Sequence, residues 1–127
     1  MKEMEEYKFD FEKLEVYQRG LKFVDKVFEI TEKFSHNLQF SLGDQFRRAA
    51  LSIVNNIAEG SGKKTSNAKR QLYSYGLDSG RECIPMITLS MMRAQITLED
   101  QILLREECVS ICNMLAKLIH SVKQGNI

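Results

Sequence analysis

Cys108 and Cys112 stand four residues apart, with His120 eight residues further on. Four residues is slightly more than one helical turn, so the two thiols share a face, and zinc is the first chemistry such a pair suggests. A zinc site needs three or four converging ligands. His120 falls toward the polar edge of its helix and Cys83 belongs to a different segment, so the cysteines read as buried thiols that pack as small hydrophobes. A di-iron carboxylate centre requires Glu-x-x-His twice, with two further inward glutamates. Lys33 and Lys117 occupy the positions three before His36 and His120, which argues against that oxidase chemistry. Ser61 lies between Gly60 and Gly62, but it follows a helical pattern and offers no strand-to-helix nucleophile elbow. The phosphate loop GxxxxGK[ST] is absent. The expectation is a chain without catalytic residues, metal ligands or cofactor.

The charges are more informative. From Arg47 to Arg70 there are six cations (Arg47, Arg48, Lys63, Lys64, Lys69 and Arg70) against Glu59 alone. From Met1 to Glu15, three lysines face six carboxylates. The net charge of +1 is too small to hold a polyanion over the whole surface, so any nucleic-acid site is a local patch. Arg48 and Lys63 are separated by roughly 22 Å of helix at 1.5 Å per residue, so they cannot share one compact patch. Lys63, Lys64, Lys69 and Arg70 can, beside the free amides that begin the next helix, where phosphate is favoured. The competing readings are a solvated loop and a charge pattern that serves subunit docking. Asn55, Asn56 and Glu59 form a polar set that would contact another subunit, a ligand or water. Arg81 and Glu82 are candidate ion-pair partners.

These residues must be positioned by helices. The chain has 127 residues, 43% hydrophobic and 28% charged, with one proline and no tryptophan, which fits one globular domain rich in helix formers. Residues 1–12 read as a charged tail and 13–124 as the domain. The first helix is expected over Leu14 to Phe34. On a wheel, Leu14, Tyr17, Leu21, Val24 and Phe28 form one apolar stripe, and Val16, Phe23, Val27, Ile30 and Phe34 a second. That arc is wider than one core-facing stripe requires, so one side needs another partner, simplest a second subunit. The residues placed at that contact are Val16, Phe23, Val27, Ile30 and Phe34, with Leu51 and Val54 of the second helix.

The second helix is expected from Ser41, as N-cap, to Gly60, after a polar connection over Ser35 to Phe40. A left-handed Gly60 or Gly62 would end it. The third runs from a Thr65 or Ser66 cap to Arg93 with a kink near Pro85. The fourth runs from Leu98, after a Thr97 cap, to Lys123. Short connections between four such helices predict an all-α, antiparallel up-down four-helix bundle. Three cysteines without a CxxC pair, an acidic start without an apolar leader core, and no apolar run near ~20 residues predict a cytoplasmic protein that does not enter a membrane.

Three segments carry a family resemblance: FEKLEVYQ (Phe11 to Gln18), QFRRAALSIVNNIAEGSGK (Gln45 to Lys63) and DSGRE (Asp78 to Glu82). Across roughly Phe9 to Lys123 the chain resembles the four-helix-bundle proteins encoded within intervening sequences of bacterial 23S ribosomal RNA genes. It is also similar to the accessory protein of diversity-generating retroelements, a pentameric basic barrel that engages a reverse transcriptase and nucleic acid. The resemblance implies a homopentameric ring, and it places Arg47, Arg48, Asn56, Glu59 and Gly60 in the family motif. The functional expectation is a non-enzymatic oligomeric scaffold that binds RNA or DNA through the basic turn and the second helix. The alternative is an adaptor that holds one protein partner and has no nucleic-acid role.

Overall fold

Leu14 is extended, with φ −71° and ψ 129°, and it separates a short 3-10 turn over Asp10–Lys13 from α1, Glu15–Thr31. This computed structural model describes residues 9–123. Residues 1–8 of the expected tail and residue 124 of the expected domain lie outside the described residues. Residues 9–12, assigned to that tail, form most of this short turn, with none of them buried. The Phe9 amide donates to the Glu12 carboxylate at 2.8 Å, and Phe11 meets the Tyr17 ring edge-on at 4.9 Å.

The stretch Ser35 to Phe40 is not a polar connection. His36–Leu38 forms a helical turn, Gln39–Gly43 a wider π-turn, and α2 follows directly over Asp44–Ser61. Side chains replace the expected Ser41 cap. The Gln39 amide donates to the carbonyls of Glu32 (2.9 Å) and Phe34 (3.0 Å), and Arg47 donates to the Gln39 carbonyl (2.8 Å). Buried Leu42 gives this entry an apolar anchor. Nor does a left-handed glycine end α2, since Gly62 has φ −84°. The Lys69 ammonium instead donates to the Ser61 carbonyl at 2.8 Å, satisfying an orphan acceptor of the last turn.

α3 covers Ser66–Met92, and the Thr65 hydroxyl accepts from the Ala68 amide at 3.1 Å. The helix continues past Pro85. Its end uses Ala94 at φ 57°, with the Gln95 amide donating to Ser90 and the Ala94 amide to Met91, the bond pattern of a Schellman close. α4 covers Leu98–Lys123, and the Thr97 hydroxyl accepts from the Asp100 amide at 3.1 Å.

The fold is a four-helix bundle without strands among the described residues. α2 packs on α1 and α3, α3 on α4, and α4 more sparsely on α1. Gly60 lies against Tyr73, Gly76 against Asn56, and Gly80 against both Ile53 and Cys112. The core therefore runs through Phe46, Ile53 and Ile57 of α2, Cys83 and Ile87 of α3, and Leu104, Ile111 and Leu115 of α4.

The interface expected on α1 is corrected. Val16, Phe23, Val27, Ile30 and Phe34 are buried in the chain's own core, as is Val54, and only Leu51 of that set is exposed, at 41%. Periodicity shows two stripes but not which one turns inward. Gly20 decides it: a Cβ there would stand 2.8 Å from Val54, so α2 closes onto the stripe next to Gly20. Leu21 and Phe28, of the other stripe, are left on the outside.

Candidate functional site

The six expected cations divide by what their side chains already hold. Arg47 is half-buried, with one guanidinium nitrogen on the Gln39 carbonyl and another 3.5 Å from the Gln39 side-chain oxygen. Gly43 leaves room for it, since a Cβ there would meet the guanidinium at 3.1 Å. Arg48 is exposed and paired with Asp44, one turn back, at 2.9 Å. Lys69 sits on the Ser61 carbonyl at the negative end of the α2 dipole. Arg70 donates to the neutral Asn67 amide oxygen, which leaves its charge uncompensated. Lys63 and Lys64 are exposed on the turn between α2 and α3.

Lys69 is thereby held beside Ser61, two residues from Lys63, while Arg47 and Arg48 stand at the other end of α2. Acidic groups also border the turn. A hollow of about 440 Å³ beside it is lined by Phe9, Asp10, Phe11, Glu59 and Lys63, among others. Behind it, burial raises the Tyr73 hydroxyl above its ordinary range, partly offset by a hydrogen bond with Ser61.

Asn56 donates to the Ser52 carbonyl (2.8 Å) and hydroxyl (3.1 Å), and the Ser79 hydroxyl donates to that of Ser52 (2.8 Å). The first two lie within α2, and the Ser79–Ser52 bond ties α2 to α3. Gly60 has a related role: a Cβ there would stand 2.7 Å from the buried Tyr73 ring. Asn55, Glu59, Arg81 and Glu82 are exposed, with no ion pair among the described residues.

Cys83 and Cys108 are fully buried and Cys112 half-buried. The Cys108 thiol donates to the Gly80 carbonyl at 3.1 Å. A hydrogen bond with Cys112 lowers the Cys108 pKa, but the bond with Cys83 and burial outweigh it, leaving the thiol at about 12. Cys112 is raised by its hydrogen bond with Cys108 and by burial. Thiols held protonated in this way are poor nucleophiles at neutral pH. Among the described residues no group of three His, Cys, Asp or Glu side chains has an arrangement that could hold a metal ion.

Sequence reasoning missed a cross-link between the most sparsely packed pair of neighbouring helices, α1 and α4. One Arg19 nitrogen lies 3.1 and 3.2 Å from the two carboxylate oxygens of Glu107. The two residues are 88 positions apart in the chain, so no local spacing could have paired them. A groove of about 430 Å³ opens beside this pair, with Phe23, Leu103 and Leu104 between Lys22 and Lys26. On the α3–α4 side, a second groove of about 330 Å³ is lined by Arg81, Ile84, Pro85, Val109, Cys112 and Asn113. No described helix is long and apolar enough to cross a membrane.

The model of the 23S rRNA-intervening sequence protein family matches residues 12–117, from the turn before α1 into the last third of α4. The chain belongs to that family. No curated protein matches it. Three of the motif residues build the fold: Arg47 secures the entry to α2, Asn56 holds Ser52 of the same helix, whose hydroxyl accepts from Ser79 of α3, and Gly60 admits Tyr73. Arg48 and Glu59 are the motif residues that face outward.

Proposed function

We propose that this chain is a non-enzymatic scaffold that self-associates and holds nucleic acid on the turns between α2 and α3. The observation that carries the reading is the outer surface of the bundle. With its core filled, the chain still exposes apolar side chains on every helix, among them Leu21 and Phe28 of α1, Leu51 of α2, Leu89 and Met92 of α3 and Leu98, Ile102 and Val109 of α4. Single apolar side chains at a surface are ordinary, but large ones turned outward on all four helices mark contact surfaces. Each turn then contributes Lys63, Lys64 and Arg70, and assembly multiplies that small charge into a field strong enough for a polyanion.

Anisotropy of a labelled single-stranded RNA is the test. Affinity is expected to fall steeply between 50 and 200 mM salt (a range of roughly fourfold, over which phosphate binders weaken markedly). The Lys63→Glu, Lys64→Glu double variant should lose most of it. Equal binding by that variant, or none by the wild type at low salt, would sink the nucleic-acid half of the proposal.

One observation favours a second reading, a protein-only adaptor. Arg47 and Lys69 serve backbone carbonyls and Arg48 is paired, so three of six cations are already occupied. A single stoichiometric protein recovered with the scaffold, and unchanged by nuclease, would select that reading.

A further inference from the structure

Resting on the nucleic-acid reading just proposed, we infer that the hollow beside the basic turn receives one unpaired guanine of a single-stranded RNA, with its ring against Phe9 and Phe11 and its base-pairing edge on the Glu59 carboxylate. The hollow holds about 440 Å³, at the small end of ligand sites. One wall is aromatic. The Phe9 and Phe11 rings stack with centroids 5.6 Å apart and planes 21° from parallel, and Phe9 is 56% exposed. The turn that carries them is held to α1: Phe11 meets the Tyr17 ring edge-on, and the Gln18 side-chain amide donates to the Glu12 carbonyl at 3.0 Å. It also packs against α2. Single-stranded RNA is recognised by stacking its splayed bases on aromatic side chains fixed in this way, and every base has a π-face to offer.

The polar lining selects the base. Glu59 and Asp10 border the hollow, and neither carboxylate makes an ion pair among the described residues. Two carboxylates repel phosphate, so a strand drawn to Lys63 and Lys64 enters here with a base and keeps its backbone outside. Guanine alone among the four bases presents two adjacent N–H donors, N1–H and the N2 amine, on its pairing edge. A carboxylate accepts both in parallel, as it accepts the fork of an arginine. Adenine and cytosine set an acceptor nitrogen beside their amine, which a carboxylate repels. Uracil has one N–H between two carbonyls. Glu59 stands in the last turn of α2, and Lys63 lies on the same rim, where it meets the phosphate next to the base. The acidic border of a basic turn, which phosphate binding alone leaves unexplained, thereby acquires a role.

The test is the anisotropy of labelled oligouridine carrying one central guanine, inosine or adenine, at fixed low salt. The guanine strand is expected to bind at least about fivefold more tightly than the adenine strand, the lower bound for a good bidentate pair. Inosine should fall between, because it keeps N1–H and lacks the amine. Phe9→Ala should weaken the guanine strand by a similar factor. Glu59→Gln should erase the preference, bringing the guanine strand down to the adenine strand. Charge alone predicts the opposite, tighter binding of every strand once a carboxylate has left. Both side chains are exposed, so helical circular dichroism serves as the control for folding. The inference is overturned if the wild type binds the three strands equally, if Glu59→Gln keeps the preference, or if Phe9→Ala binds the guanine strand unchanged. Guanosine monophosphate that displaces the strand at equal concentration also overturns it, by making the free nucleotide the ligand. If no strand binds the wild type at all, the nucleic-acid reading itself falls, and this inference with it.

Discussion

Arg47 and Lys63 look equivalent in the sequence, one basic residue near each end of the second helix. Their surroundings separate them. The Arg47 guanidinium satisfies the Gln39 carbonyl of the π-turn, whereas Lys63 is exposed on the turn after α2. Removing a charged donor from a half-buried acceptor costs about 1.5–3 kcal/mol, while an exposed loop lysine contributes within about 0.5 kcal/mol either way. Arg47→Ala is therefore expected to lower the free energy of unfolding by about 1.5–2 kcal/mol in a urea titration. Lys63→Glu should leave it unchanged while weakening RNA binding. Arg47→Lys should fall between, because an ammonium cannot reach both oxygens of Gln39 with a planar fork. If Arg47→Ala keeps full stability and loses binding, Arg47 is a ligand-contacting residue and its place at the entry to α2 is incidental. The same contrast explains why the candidate site was only half legible. Residue type marks a cation, but nothing in RRAAL or KKTSNAKR says which cations will find a carbonyl.

At the scale of elements, the ends of helices decide where the chain turns. Thr65 and Thr97 were readable as caps because a hydroxyl immediately ahead of a helix has few better partners than its free amides. The entry to α2 was not readable, since it depends on Gln39 reaching back to Glu32 and Phe34 and forward to Arg47. The close of α3 was hidden for another reason: Ala94 occupies a left-handed position that sequence signals reserve for glycine. An alanine held there costs about 1–2 kcal/mol, and glycine returns about 0.5–1 kcal/mol of that through its freer unfolded chain. Ala94→Gly is thus expected to stabilise the protein by about 0.5–1 kcal/mol, a rise of roughly 2–5 °C in thermal midpoint. A fall on scanning calorimetry would mean that the Ala94 methyl makes packing contacts that outweigh the strain. The helix count, the span of α4 and the breadth of the apolar arc on α1 were all legible from periodicity. Which stripe of α1 faces inward was not, because that choice rests on the close approach of Gly20 to Val54, a contact between segments 34 residues apart.

For the whole molecule, the question is whether one chain has enough charge to hold a polyanion. Lys63, Lys64 and Arg70 are the outward cations of the turn, with Glu59 and Asp10 close by. Three phosphate contacts on a single strand give a logarithmic salt slope of only about −2, which is weak binding at physiological ionic strength. Copies joined face to face would place several turns within reach of one strand, so that each later contact is intramolecular and the slopes add. Leu51 is exposed in the middle of α2, and the turn lies beyond the C-terminal end of that helix. Leu51→Glu should nevertheless reduce RNA affinity by at least an order of magnitude and bring the slope back to about −2, by separating the copies and leaving every lysine in place. Lys63→Glu with Lys64→Glu should do the reverse, keeping the assembled mass and losing the slope. If Leu51→Glu yields monomers that bind with undiminished affinity and slope, a single turn is sufficient and assembly serves some other end. If it leaves the mass unchanged, the surface around Leu51 does not join the copies, and the multiplication of charge has to come from a different arrangement.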